Sequence, residues 1–170
     1  IPTINGLQKE GLDYRGFIFL GFMIENDEPY MIEYNCRMGD PETEVVMPRL
    51  KNDLVELFQA VAEQKLDTIK IETDERTVCT VVAVSGGYPG DYKKGYEIHG
   101  LQDINPADSV VYHMGTTLKD GKVVTNGGRV FCITSYGKSV FDAVEISKDE
   151  LRKVSFTEMN YRTDIGYEFP

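Results

Sequence analysis

Between Tyr30 and Glu44 the chain reads Tyr-Met-Ile-Glu-Tyr-Asn-Cys-Arg-Met-Gly-Asp-Pro-Glu-Thr-Glu, and this stretch limits the possible folds more than any other. As a strand it has two unlike faces. Ile32, Tyr34, Cys36 and Met38 alternate onto one side, available for a core. Glu33, Asn35 and Arg37 fall on the other at intervals of roughly 6 to 7 Å. Gly39 then permits a sharp turn, Asp40 suits a helix N-cap and Pro41 the first helical position, so a helix is expected from about Glu42. An alternating strand that runs straight into a helix start calls for a mixed α and β fold.

The flanking segments extend this pattern. Residues 1 to 13 read as the end of a helix stopped at Gly11. Gly16 to Ile24 is apolar on both alternating faces, which predicts a strand buried on both sides, and Gly21 within it implies close approach of another backbone or a ligand. Glu25 to Pro29 is a polar turn, pairing this strand with the next as a hairpin. Asn52 or Asp53 caps a helix whose apolar residues Leu54, Leu57, Phe58, Val61, Ala62 and Leu66 recur at the helical period. The polar segment 67 to 76 marks a subdomain boundary. Beyond it come short β-rich runs, Thr77 to Ser85, Val110 to Thr117 and Arg129 to Ser135, with hairpin signals at Asp120-Gly121 and Asn126-Gly127-Gly128. A helix over Ser139 to Val154 is expected to lie on that sheet, with Val140, Phe141, Val144 and Leu151 inward and Ile146-Ser147 fitting less well.

Composition excludes several function classes. The formal charge of −10 and pI near 4.7 argue against nucleic acid, whose phosphates are held by clustered Lys and Arg. Cys36, Cys79 and Cys132 are odd in number and widely spaced, which suits free thiols in a reducing, cytoplasmic setting. No apolar run is long enough for a transmembrane helix, so no membrane partner is expected. The chain opens Ile1-Pro2-Thr3 rather than with Met, as a fragment of a longer polypeptide would.

Glu33 and Asn35 are the candidate ligands of a divalent cation, since Mg²⁺ takes oxygen ligands and is held by one or two side chains plus substrate phosphates. Arg37 could grip a phosphate or acyl phosphate oxygen with its forked donors. Spacing alone leaves open a simpler arrangement, an exposed strand face with a surface ion pair worth about 0 to 1 kcal/mol. Asp40 and Glu42 read first as a helix start, and beyond that as negative potential beside a cation or a substrate amine. Gly86-Gly87-Tyr88-Pro89-Gly90 lacks the Lys and Ser or Thr of a P-loop and reads as a tight turn. Arg129, directly after a glycine turn, could reach a substrate phosphate. His99 and His113 have no Cys or His at metal spacing.

Residues 33 to 44 resemble the signature of the phosphoribosylamine-glycine ligase family, also called glycinamide ribonucleotide synthetases. Pro2-Thr3, Tyr14 to Phe17, Gly86 to Tyr92, His99 to Leu101, His113 to Thr116, Thr125 to Val130 and Asp164 to Gly166 resemble the same family, in its order, over essentially the whole chain. The resemblance implies an α+β fold. Residues 1–70 would be the C-terminal part of an ATP-grasp domain, an antiparallel sheet with helices. Residues 71–170 would be a small β-rich domain with a packed helix. It implies a ligase of purine biosynthesis that phosphorylates glycine with ATP and passes the glycyl group to 5-phosphoribosylamine. Glu33 and Asn35 then match Mg²⁺ or Mn²⁺ ligands, Arg37 a catalytic arginine, and Phe22 and Met23 part of the nucleotide pocket floor, with Asp40, Glu42 and Arg129 as substrate contacts. Family members are more than twice as long, so this piece, lacking the ATP clamp of the upstream domains, is expected to be inactive alone. Two other readings fit the same residues: a non-catalytic ligand-binding module derived from an ATP-grasp enzyme, and another ATP-grasp carboxylate-amine ligase.

Overall fold

A computed structural model describes residues 2–169, which form two units. Among the described residues, the first comprises 2–43 and 50–74, the second 44–49 and 75–169. The chain therefore enters the second unit for six residues, returns to the first, and leaves it again after Asp74.

In the first unit, helix α1 (Pro2–Lys9) ends as expected at Gly11, whose φ of 69° is open to glycine. Strands β1 (Phe19–Glu25) and β2 (Glu28–Asn35) pair antiparallel through a two-residue turn in which Asn26 and Asp27 both have positive φ, the primed geometry that matches strand twist. The expected burial of β1 on both faces is not found. Phe22, Met23 and Ile24 are 47%, 59% and 61% exposed, and Ile32 and Tyr34 of β2 are similarly open. A two-stranded ribbon offers one hydrogen-bonded neighbour per strand and cannot enclose both apolar faces. Helix α3 (Leu54–Ala62) is capped by Asp53, which accepts from the Val55 and Glu56 amides, while its neighbour Asn52 ties residues 70 to 72 back to the unit. Leu57 and Ala60 form its buried stripe, and Phe58 meets Phe17 edge to face at 6.1 Å.

The second unit holds the well-buried core. Strands β3 (Thr77–Val84), β4 (Ser109–His113) and β7 (Arg129–Gly137) form an antiparallel sheet with β7 in the centre. Strands β5 (Thr116–Lys119) and β6 (Lys122–Thr125) make a separate hairpin around Asp120-Gly121, both at positive φ. Asn126-Gly127-Gly128 is not the expected hairpin turn. Neither Gly127 nor Gly128 has positive φ, β6 pairs with β5, and β7 is claimed on both edges by β3 and β4.

One face of the sheet carries Val81, Ala83, Phe131 and Ile133, packed with Leu151, Val154 and Phe156. Helix α4 (Val140–Leu151), capped by Ser139, covers this face with Ala143, Val144, Ser147, Glu150 and Leu151. Ser147, the poor fit in the apolar pattern, is buried because its hydroxyl donates to the Cys79 carbonyl at 3.1 Å; Phe141, expected inward, is 56% exposed. The opposite face carries Tyr112, Cys132, Thr134 and Tyr136. Residues 44–49 lie against it, with the Tyr136 hydroxyl donating to the Pro48 carbonyl at 2.6 Å. Burial, then the neighbouring Tyr136, Cys132 and Glu44, push the Tyr112 hydroxyl pKa up.

Candidate functional site

The polar row of β2 is formed as its spacing predicts, but it is shorter. Register pairs Gly21 with Glu33 and Phe19 with Asn35, so Glu33 and Asn35 share a face. The Asn35 amide nitrogen donates to Glu33 Oε1 at 2.9 Å, which brings the two side-chain tips to one point. Strand β2 ends at Asn35, and Arg37 lies beyond the ladder with Nη1 donating to the Met38 carbonyl at 2.8 Å.

Gly21 is explained by this register. A Cβ at Gly21 would stand 3.0 Å from Glu33 Cγ, so the glycine leaves room for the carboxylate to lie across the ribbon. Phe19 and Gly21 share the face of the row, opposite Asn35 and Glu33, whereas Phe22 and Met23, the residues expected at the pocket floor, pair with Met31 and Tyr30. The ladder shifts between Gly21 and Phe22, which is where the two strands fall out of step.

The expected cap at Asp40 is replaced by a turn. The Asp40–Pro41 peptide bond is cis, and the Thr43 amide and hydroxyl both bond the Gly39 carbonyl. Helix α2 (Thr43–Val46) is a single turn that begins after Glu42 rather than at it. The Glu42 carboxylate folds back over Gly39, where a Cβ would collide with it and would also meet Phe19 Cε2 at 2.8 Å. Glu42 is thus brought to the end of the ribbon that holds Asn35 and its partner Phe19. Sequence reasoning missed Phe19 and Gly39 as the surfaces that place Glu42; the glycine before Asp-Pro was the available signal.

Among the described residues, no group of three or more His, Cys, Asp and Glu side chains is arranged to hold a metal ion. Glu33 and Asn35 supply two oxygens, provided that the Asn35 amide turns its Oδ1 inward in place of Nδ2. That number fits a cation whose remaining ligands come from phosphates and water, and it does not fit a closed structural site. Beside the row, residues of α1, Tyr14, Ile18, Tyr34 and Asn35 line a largely apolar cavity of about 360 Å³ that sequence reasoning did not anticipate. Among the described residues no helix is long and apolar enough to cross a membrane.

Arg129 belongs to the second unit, at the first position of β7. It is half-buried and pairs with Val84 at a shift in the β3 register. Three loops meet around it at one end of the sheet. Residues 85–92 follow β3, residues 114–115 follow β4, and residues 126–128 precede β7.

Residues 78–168, just over half of the chain, match the family described as phosphoribosylglycinamide synthetase, C domain. The chain belongs to this family. Residues 1–43 match the ATP-grasp (A) domain of the same synthetases. The phosphoribosylamine-glycine ligase of Caldanaerobacter subterraneus subsp. tengcongensis is 46% identical over 165 residues, 97% of this chain and 39% of that protein. The trifunctional purine biosynthetic protein adenosine-3 of Gallus gallus is 44% identical over 97% of this chain and 17% of its own length. A crystal structure of phosphoribosylamine-glycine ligase from Thermotoga maritima superposes with a TM-score of 0.76 at 36% identity, over 95% of this chain and 40% of that one. The chain thus spans about two fifths of the single-function relatives it matches, and its α+β class and small β-rich part agree with the family.

Proposed function

We propose that this chain, within its longer polypeptide, is part of a cytoplasmic ligase that joins glycine to 5-phosphoribosylamine, converting ATP to ADP and phosphate, in purine biosynthesis. The γ-phosphoryl group passes to the glycine carboxylate, giving glycyl phosphate and ADP. The amine of phosphoribosylamine then attacks the glycyl carbonyl carbon, loses a proton, and phosphate leaves. Glu33 and Asn35 would hold Mg²⁺ or Mn²⁺, which draws the ATP phosphates together and neutralises their charge. Arg37 orients the transferred group and offsets charge on its oxygens. Phe22 and Met23 lie under the nucleotide, Asp40 and Glu42 attract the substrate amine, and Arg129 takes the phosphate of phosphoribosylamine.

The convergence of Glu33 and Asn35 at 2.9 Å on one strand face is the observation that supports this reading best, since both side chains carry an oxygen that a single ion could share. The test is calorimetric titration of Mn²⁺-ATP into the full-length protein and its Glu33→Gln and Asn35→Ala forms. Each substitution is expected to weaken metal-dependent nucleotide binding by about tenfold or more. Unchanged metal dependence in both would refute the assignment.

A further inference from the structure

The proposed role of Arg129 leaves unexplained why three glycine-containing loops converge on its backbone. Gly128 cannot accept a side chain. A Cβ there would collide with the Tyr88 ring, with Cε2 at 2.7 Å, and would stand 3.0 Å from Tyr92 Cε1. The two rings themselves meet edge to face, 6.3 Å apart at 61°. Behind the rings, the Ser85 amide donates to the Gly128 carbonyl at 2.8 Å and the Ser85 hydroxyl to the Gly127 carbonyl at 2.9 Å. The peptide groups immediately before Arg129 are therefore clamped from the side of β3.

The loop after β4 holds the other side. Met114 and Gly115 both donate to the Val130 carbonyl, at 3.0 and 2.8 Å, and Asn126 donates to the Gly115 carbonyl at 2.7 Å. A Cβ at Gly115 would collide with the Arg129 carbonyl oxygen and lie 2.8 Å from Gly127 Cα. His113 Nδ1 and Thr116 Oγ1, 2.8 Å apart, close this loop on itself. Neighbours thus press on the Arg129 backbone from two loops, and neither contact surface has room for a methyl group.

Resting on the reading of Arg129 as a phosphate ligand, we propose that Tyr88 and Gly128 are a positioning latch for it: the tyrosine ring, seated on the bare glycine, sets the backbone from which the arginine side chain projects. A long guanidinium side chain loses several rotors on binding, so a fixed base lowers the cost of presenting its fork to a phosphate. The residues of the latch need not touch substrate. Gly86-Gly87-Tyr88-Pro89-Gly90, which lacks the chemistry of a phosphate loop, acquires a role through its tyrosine.

The experiment compares Gly128→Ala, Tyr88→Ala, the double variant and Arg129→Ala in the full-length ligase, with steady-state kinetics for each substrate. In Gly128→Ala the KM for phosphoribosylamine should rise about tenfold while kcat and the KM for ATP stay within about twofold. In the double variant the added methyl occupies the space left by the ring, so KM should fall back at least threefold, by an estimate of order of magnitude from the same reasoning. If Gly128→Ala does not fold, Tyr88→Ala carries the test, because Tyr88 is 41% exposed and its removal leaves the core intact. A rise in its KM for phosphoribosylamine alone supports the latch, and no change overturns it. Equal changes in KM for all substrates, or a loss of thermal stability with KM unchanged, would mark a merely structural role and also overturn it. An unchanged KM in Arg129→Ala removes the reading on which the latch rests, and the latch with it. A raised KM there beside an unchanged one in Gly128→Ala overturns the latch alone.

Discussion

The contact between Tyr136 and Pro48 decides whether residues 44–49, which continue directly from the polar row and its turn, are held on the second unit. The hydroxyl donates to the Pro48 carbonyl at 2.6 Å, and Arg76 sits over the same ring with its guanidinium carbon 4.1 Å from the centroid. Tyr136→Phe keeps the ring and the cation contact and removes only the donor. A hydrogen bond of this kind contributes about 1 kcal/mol net, and the Pro48 carbonyl loses its donor in the exchange. For a segment that opens locally, 1 kcal/mol corresponds to about a fivefold faster exchange of its protected amides. Hydrogen-exchange mass spectrometry on a peptide covering residues 44 to 50 should register that change. Amides of central β7 around Phe131 and Ile133, whose side chains point into the core on the other face, should exchange as before. Tyr136→Ala removes the ring as well, with about 0.5 to 1 kcal/mol of cation contact on top of the lost packing, and should exceed the phenylalanine variant. Equal exchange of residues 44 to 50 in the parent and in Tyr136→Phe would refute the reasoning.

Two further outcomes are expected. Lys122 Nζ lies 2.7 Å from Glu97 Oε2 and holds that carboxylate below its usual range. A depressed carboxylate stabilises the fold above the unfolded pKa of about 4.3 and loses that contribution as pH falls through its own lower value. Lys122→Ala should therefore move the acid unfolding transition, followed by circular dichroism, to higher pH; no movement would show the pair to be inert. In the 170-residue chain itself, amides of β1 and β2 should exchange far faster than those of β7, because a lone ribbon is marginal in water whereas Phe131, Cys132 and Ile133 are fully buried. Comparable protection in the two would contradict the ribbon's exposure.

Legibility in the sequence depended on whether a signal was local. Asn26-Asp27 and Asp120-Gly121 carry their turns in their own backbone preferences, and both form. Asp53 caps through a side chain two and three residues from the amides that donate to it, so spacing is sufficient. Glycine was ambiguous wherever its reason was a neighbour distant in sequence. Gly128 and Gly39 both resemble turn residues, but Gly128 is required by Tyr88 and Gly39 gives way to Glu42 and Phe19. Burial of β1 was misjudged because an apolar run records what a strand is suited to touch, not how many neighbours these 170 residues supply. The placement of residues 44–49 on the second unit had no local signal, since it rests on Tyr136, 88 positions from Pro48.

The charge balance bears on the same site. A chain with a formal charge of −10 that gathers Glu33, Asp40 and Glu42 within ten residues presents a potential that repels bare phosphate. Arg37 does not reverse it alone, because it sets one positive charge against three carboxylates. On the proposed reading, a divalent cation on Glu33 and Asn35 would offset that potential, since such an ion would be the largest charge in its surroundings. On the proposed reading, acidity and nucleotide binding are therefore compatible only through the metal. The carboxylates that would weaken the affinity for free ATP are what favour its metal complex and the approach of an amine, so the selectivity of the site for charged partners follows from residues that first look like a solvated helix start.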